Sequence, residues 1–144
     1  MANERETELL QNIYRNAEMG RDGLYFVMKK TDDPAMRRVV ETQLMEYQTV
    51  MDEAEERLRA TGERPQGSGK LAKLMVRMAA SRKTAQDNSP AALADMLIEG
   101  SSMGVTKIMR ELTRYRAGCE EAAALALRLQ KTEENNIERL KAYL

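Results

Sequence analysis

The spacing of apolar residues is the feature that most constrains the fold of this 144-residue chain. Apolar side chains recur every three or four residues over most of its length, and no segment alternates apolar and polar residues with a period of two. The first pattern is typical of amphipathic α-helices, whereas the second would indicate strands. The sequence therefore predicts an all-α fold.

Local signals predict the bounds of the first two helices. The first helix is expected over about residues 4–30, after a capping-box-like start at Asn3. The second is expected to begin behind Asp33 as the N-cap, with Pro34 at the first helical position, since both residue types favour those places. Gly62 is the predicted stop, because glycine is the residue that most often ends a helix.

Two further long helices are predicted in the second half of the chain. Ser89 as a cap and Pro90 behind it open the third, and Gly118 breaks it. The fourth then begins near Glu120, where negative charge suits the helix dipole, and is expected to continue to the end of the sequence.

The connection over 62–89 is long and is predicted to hold a short amphipathic helix. Its apolar side contains Leu71 and Leu74, and its other side is basic, with Lys70 and Arg77 among others. A solvated face is favoured there over a patch for phosphate or an acidic partner. Two helical hairpins joined by one long crossover make a four-helix bundle, so we expect a single bundle domain over 1–144.

The totals exclude several classes of function. The chain has no histidine, which removes catalysis by Ser-His or Cys-His pairs and every metal site that uses imidazole. Basic and acidic residues are equal at 23 each, so nothing indicates a nucleic-acid partner. No apolar stretch is long enough to span a membrane, and no export signal opens the sequence. A cytoplasmic location is expected, and the lone Cys119 is interpreted as a spectator thiol.

Methionine is abundant and aromatic residues are scarce. The eleven Met residues stand against five Tyr, one Phe and no Trp. Because methionine adapts to irregular space, we interpret it as core filler rather than as a copper ligand.

The pair Tyr25-Phe26 seven residues after Glu18, and the stretch "EENNIERL" near the C-terminus, are the two most distinctive local motifs. Both resemble motifs of the ferritin-like superfamily, which includes bacterioferritin and rubrerythrin, and most of all its small uncharacterised bacterial members. Glu18 is followed seven residues later by Tyr25-Phe26, as in the first metal-bearing helix of bacterioferritin-like chains. The stretch "EENNIERL", 133–140, is similar to the family pattern "EExHIxxL". The resemblance implies a ferritin-like four-helix bundle with the short extra helix in the crossover between its second and third long helices.

The resemblance also implies positions for a di-metal centre of iron or manganese. Such centres take a glutamate from each of two helices and a Glu-x-x-His motif from each of the other two. The carboxylate positions fall on Glu18, Glu46, Glu99 and Glu133, and the histidine positions fall on Thr49 and Asn136. Glu41 or Glu53 would serve as well as Glu46. Neither Thr49 nor Asn136 supplies the imidazole nitrogen that iron and zinc favour, so the family's chemistry is not inherited.

Three interpretations of the four glutamates stay open. They are ordinary carboxylates of helix faces, exposed or paired with Arg and Lys; this is favoured, because 32% of the chain is charged. They are a vestigial site, held by a hydrogen-bond network with Asn136, Thr49 and a tyrosine such as Tyr25. Or they are a working all-oxygen site for a hard cation such as Mg²⁺, Mn²⁺ or Ca²⁺.

Small residues in "EGSSMG", 99–104, also have two interpretations. Gly100 and Gly104 are placed on the inner edge of the third helix, where they would allow close packing against Gly20 and Gly23 of the first. Alternatively, they leave a hydrophobic pocket for a small ligand. Close packing is favoured, since something must offset the cost of about 1 kcal/mol for glycine inside a helix.

The sequence thus supports two main hypotheses of function. The favoured one is a non-enzymatic structural or interaction protein that self-associates, with a dimer expected, and that has lost its metal site. The alternative is a carboxylate-bridged iron or manganese protein, or an oxidoreductase, with altered ligands. A small-ligand carrier is a weaker third hypothesis.

Overall fold

The computed structural model describes residues 4–67, 87–115 and 117–144. The described residues form four long helices and contain no strand. The helices are α1 (Glu4–Lys30), α2 (Pro34–Ala60), α3 (Pro90–Tyr115) and α4 (Glu120–Leu140). A short 3₁₀ turn, Lys141–Tyr143, follows α4, so the last helix ends slightly before the predicted point.

Residues at the predicted capping positions explain where these helices begin and end. The Asp33 carboxylate accepts a hydrogen bond from the Met36 backbone N–H at 2.8 Å, and Pro34 begins α2. The Ser89 hydroxyl accepts one from the Ala92 backbone at 3.2 Å, ahead of α3. Gly62 and Gly118, with φ of 83° and 81°, adopt the left-handed conformation in which a helix readily stops.

Side-chain contacts fix the direction of each helix. Between α2 and α4, residue numbers rise along one helix as they fall along the other: the ion pairs are Arg57–Glu121, Glu53–Arg128 and Glu46–Arg139. The contacts between α1 and α3 follow the same rule: Arg5 bonds the Arg114 carbonyl, Asn12 bonds Glu111 and Asn16 bonds the Gly104 carbonyl. Both pairs are therefore antiparallel. With the two hairpins, this gives an up-down-down-up bundle.

The direction of α3 determines the path of the crossover. Because α2 and α3 run the same way, the end of α2 and the start of α3 lie at opposite ends of the bundle, whose length is about 40 Å for 27 residues at 1.5 Å each. Gln11 of α1, which is buried, holds the start of this path. Its amide donates to the Arg64 carbonyl and accepts from the Gln66 backbone N–H, each at 2.8 Å. Arg15 adds bonds to the carbonyl and side chain of Gln66.

Only some of the methionines on the described helices lie in the core. Buried methionines lie on α2 and α3, whereas other methionines of the same helices are exposed. The buried ones are Met36, Met51 and Met96, and the exposed ones are Met45, Met103 and Met109. Core filling therefore explains only part of the methionine content.

One predicted inner position is wrong, and two predictions lie outside the described residues. Gly100 is exposed, and a Cβ built on it would meet nothing within 4 Å. Ser101 takes the inner place instead, because the inner face of α3 passes through it rather than through its neighbour. The short basic helix predicted within 62–89 and the Asn3 cap fall on residues that the structure does not describe.

Candidate functional site: a buried polar cluster

Glu133 places a carboxyl group in the largely apolar interior of the bundle. It lies on the inner face of α4 with 2% of its surface exposed, as the sequence predicts. Asn136, one turn later on the same face, is fully buried. Buried polar groups cost free energy unless they have hydrogen-bond partners. The neighbours of these two residues therefore decide what the interior can do.

Hydroxyl groups from two other helices surround the Glu133 carboxyl. Tyr47 of α2 and Ser101 of α3 interact with it through their side chains, and Tyr47 also interacts with Ser101 and Asn136. Tyr47 is 2% exposed and Ser101 is 8% exposed. The first helix completes the cluster, because Asn16 donates from Nδ2 to the Gly104 carbonyl at 3.2 Å.

Two glycines make room for the cluster. A Cβ on Gly104 would lie 3.1 Å from Asn16 Oδ1 and 3.2 Å from Glu133 Oε2, so the α3 backbone lies directly against both side chains. A Cβ on Gly20 of α1 would lie 2.6 Å from the Tyr47 ring, which no real Cβ tolerates. Close packing of these glycines is thus correct, but Gly20 accommodates a side chain of α2 rather than one of α3.

Burial dominates the proton affinity of the cluster. Desolvation raises the pKa of Glu133 from 4.5 to about 7, while its bonds with Tyr47 and Ser101 act in the opposite direction. Desolvation, followed by the nearby Glu133 carboxylate, raises the pKa of Tyr47 well above 10. At neutral pH the tyrosine therefore stays a neutral phenol, and Glu133 is poised between its protonated and ionised forms.

Several buried atoms have no hydrogen-bond partner among the residues that the structure describes. Among them are Oε2 of Glu133, Nδ2 of Asn136 and Nε2 of Gln43, a buried residue one turn before Tyr47 on α2. Each such atom costs roughly 1–3 kcal/mol if nothing else bonds it. The polar interior is therefore only partly satisfied by its own side chains.

Glu46 is held at the edge of this cluster by an arginine. Arg139 of α4 donates from Nη1 to Glu46 Oε1 at 2.9 Å and to Asn136 Oδ1 at 3.5 Å. The pair is partly exposed, with 42% of the Arg139 side chain and 29% of the Glu46 side chain accessible. Of the two alternatives to Glu46, Glu53 pairs with Arg128 and Glu41 is exposed.

The other positions implied by the resemblance lie on three different helices, and their burial differs. The Glu18 carboxylate lies beside Gly67 at the start of the crossover, where a Cβ would be 3.2 Å from both oxygens. Glu99 is half-buried on α3. Thr49 lies on the exposed side of α2, and its hydroxyl donates to the Met45 carbonyl at 3.0 Å. Tyr25, expected to support the network, is 49% exposed.

Sequence reasoning missed four side chains of the cluster. It placed Glu133, Asn136 and Tyr47 on inner faces but did not identify Asn16, Gln43, Ser101 or Arg139. A usable signal exists for two of these, because Asn16 and Gln43 occur at helical spacing from core residues such as Ile13 and Tyr47. Arg139 gives no such signal, since an arginine beside a core position is ordinary on a surface helix.

Cys119 does not show the activation that a helix start can give. It is the N-cap of α4, is buried and is unpaired. Burial raises the pKa of its thiol, so the neutral form dominates at neutral pH.

The donors of the cluster can be compared with those that a di-metal centre requires. Four carboxylates and two imidazoles from four helices surround such a centre. In the described part of the chain, no three Asp, Glu, Cys or His side chains lie together in a way that would hold a metal ion. Glu133 has hydroxyl and amide neighbours, and Asn136 faces a guanidinium. This donor set does not fit a di-metal centre.

Comparison with known proteins identifies the fold. The chain is similar to Dps from Thermosynechococcus elongatus, whose X-ray structure it matches with a TM-score of 0.69 and 20% sequence identity. The match covers 96% of this chain and 91% of that one. No family model matches the sequence, and no curated protein does. The predicted ferritin-like four-helix bundle is thereby confirmed. Within the described ranges, no helix is long and apolar enough to cross a membrane.

Proposed function

We propose that this chain is a single-domain ferritin-like bundle that acts as a non-enzymatic structural or interaction protein, with an interior held by hydrogen bonds instead of metal ions. The observation that carries the proposal is the environment of Glu133. Its neighbours are the Tyr47 and Ser101 hydroxyls, and with a pKa of about 7 it can be neutral where a metal ligand must be ionised.

The same cluster argues against an enzyme. General acid–base catalysis needs a group that titrates near neutral pH and reaches a substrate. Glu133 meets the first condition, but it is 2% exposed. Tyr47, with its pKa well above 10, does not supply a second titrating group near neutral pH, and the chain has no histidine.

Self-association is the second part of the proposal. Large apolar side chains remain exposed on the described helices, including Met45 at 72% and Met109 at 54%. Contact with a second copy would remove such surface from water, and a dimer is the expected assembly. Light scattering across a range of protein concentrations measures the mass directly. The proposed location is the cytoplasm, where the unpaired Cys119 thiol would stay reduced.

Metal content tests the main proposal against its alternative. Oε2 of Glu133, which has no hydrogen-bond partner among the described residues, is the observation that favours an iron or manganese protein with altered ligands. The protein would be expressed with iron, manganese and zinc supplied, and bound metal would be measured per chain. We expect less than about a tenth of an equivalent, since the donor set has one buried carboxyl.

The Glu133→Ala variant makes this test decisive. A stoichiometric metal signal that disappears in Glu133→Ala, but persists in the matched control Glu134→Ala, would refute the proposal in favour of the alternative. Glu134 lies on the exposed side of the same helix, so its loss leaves the interior unchanged.

A further inference from the structure

The guanidinium of Arg139 contacts Glu46 and Asn136, two positions at which the resemblance implies metal ligands. Its Nη1 lies 2.9 Å from Glu46 Oε1 on α2 and 3.5 Å from Asn136 Oδ1 on α4. One nitrogen atom thus bridges a carboxylate and an amide oxygen from two antiparallel helices. Both are hard oxygen donors, of the kind that divalent and trivalent cations prefer.

Unpartnered buried atoms occur on the two bridged residues themselves and on Glu133, one turn before Asn136 on α4. Oε2 of Glu46, Nδ2 of Asn136 and Oε2 of Glu133 have no hydrogen-bond partner in the described ranges. Asn136 is completely buried, and Glu133 is 2% exposed. Two carboxylate oxygens that could coordinate a cation, one on Glu46 and one on Glu133, therefore have no hydrogen-bond partner among the described residues.

The charges of the cluster balance without a metal ion. Arg139 carries one positive charge that is permanent in proteins, and it is placed against the Glu46 carboxylate. Any cation that approached Glu46 or Asn136 would meet the guanidinium at contact distance, where repulsion between like charges is strong. The two oxygens would also have to give up their bonds to Arg139.

From this arrangement we infer that Arg139 supplies the positive charge that metal ions supply in related bundles, and that it excludes hard cations from Glu46, Asn136 and Glu133. The inference rests on the proposed function, in which the interior holds no metal. The inference adds the reason why no cation binds, which is the charge of a single residue, Arg139. A neutral residue at this position should therefore open a cation site.

The test is a titration of wild type and Arg139→Gln with Tb³⁺, read as terbium emission excited through tyrosine. Tyr47 interacts with Glu133 and Asn136, so a terbium ion bound there would lie beside a sensitising ring. We expect Arg139→Gln to bind Tb³⁺ at least about tenfold more tightly than wild type, because one repelling unit charge is removed. Calcium should compete with the emission.

Three matched variants isolate the cause. Arg128→Gln removes the ion-pair partner of Glu53 and should gain nothing, since Arg128 pairs with Glu53 and not with Glu46. Arg139→Lys keeps the charge and should resemble wild type. Adding Glu46→Gln to Arg139→Gln should abolish the gain.

Each outcome decides between the two claims. Stoichiometric metal in wild type refutes the proposed function, and the inference fails with it. A metal-free wild type with no gain in Arg139→Gln, or an equal gain in Arg128→Gln, overturns the inference alone. Arg139→Met is the second neutral variant, because it keeps an apolar stem for packing. If neither neutral variant folds, Arg139 is a structural residue and the inference is also overturned, because a partly exposed ion pair should be dispensable for folding.

Discussion

Replacing Glu133 with glutamine should change how the stability of the bundle depends on pH. In the folded chain the carboxyl holds its proton up to about pH 7, because burial raises its pKa, whereas the unfolded chain releases the proton near the ordinary value of 4.5. Between these values the folded state binds more protons than the unfolded state. The stability that this group contributes is therefore fully present below about pH 4.5 and is lost as the pH rises through 7.

The size of the effect follows from the shift. A rise from 4.5 to about 7 corresponds to about 3 kcal/mol, at about 1.4 kcal/mol for each pKa unit. Glutamine has nearly the shape of the protonated carboxyl and cannot ionise. The free energy of unfolding of Glu133→Gln, relative to wild type, should therefore rise by about 3 kcal/mol between about pH 4 and about pH 8.

Urea unfolding followed by circular dichroism measures this quantity at several pH values. The comparison of two proteins at each pH cancels the titration of the other carboxylates, which both share. Glu134→Gln is the control, because Glu134 is exposed and neutralising it should leave the pH dependence close to that of wild type.

The reasoning would be refuted by a difference between wild type and Glu133→Gln that stays constant with pH. A difference that changes in the opposite direction would show that the carboxylate form is the one stabilised by folding. That outcome would mean that the hydroxyls around Glu133 outweigh its desolvation.

Three further outcomes test other parts of the structure. Gly104→Ala should destabilise the bundle by about 1–3 kcal/mol, because the added Cβ would crowd the cluster. Gly100→Ala has open space around it and should stabilise the bundle by up to about 1 kcal/mol. Urea unfolding compares the two variants, and similar free energies of unfolding would contradict the placement of α3. Tyr47→Phe should raise the pKa of Glu133 further, since the hydroxyl favours the carboxylate; carboxyl ¹³C NMR measures it, and a lower pKa would contradict this. Gln11→Leu should lower the free energy of unfolding by about 1–3 kcal/mol, because the Arg64 carbonyl and the Gln66 N–H would lose their hydrogen bonds to the Gln11 amide. An unchanged free energy of unfolding would show that water replaces these bonds.

The sequence predicted the helices well because their ends are decided locally. Asp33 bonds a backbone N–H three residues away, and Gly118 needs only its own left-handed conformation to end α3. These signals do not depend on how the helices meet. A four-helix bundle then followed from two hairpins and one long connection, and the resemblance of two motifs implied its ferritin-like form.

The site was harder to predict because it depends on how neighbouring helices are aligned. Helical spacing placed Glu133 and Asn136 on the inner face, but it could not show that Tyr47 of another helix would be their partner. It also assigned Thr49 to a ligand position by counting along the chain, although that residue faces outward. An error of one residue, as between Gly100 and Ser101, turns a side chain by 100° and moves it from the interior to the surface.

The division of the bundle into two hairpins has a consequence for how it assembles. The cluster takes Asn16 and Tyr47 from the first hairpin and Ser101 and Glu133 from the second, so neither hairpin contains it alone. In a separate second hairpin, water would reach Glu133 and its proton affinity would return to that of an ordinary glutamate. The carboxyl thus becomes a reporter of docking: at pH 6, between its two pKa values, the joining of the hairpins must take up a proton.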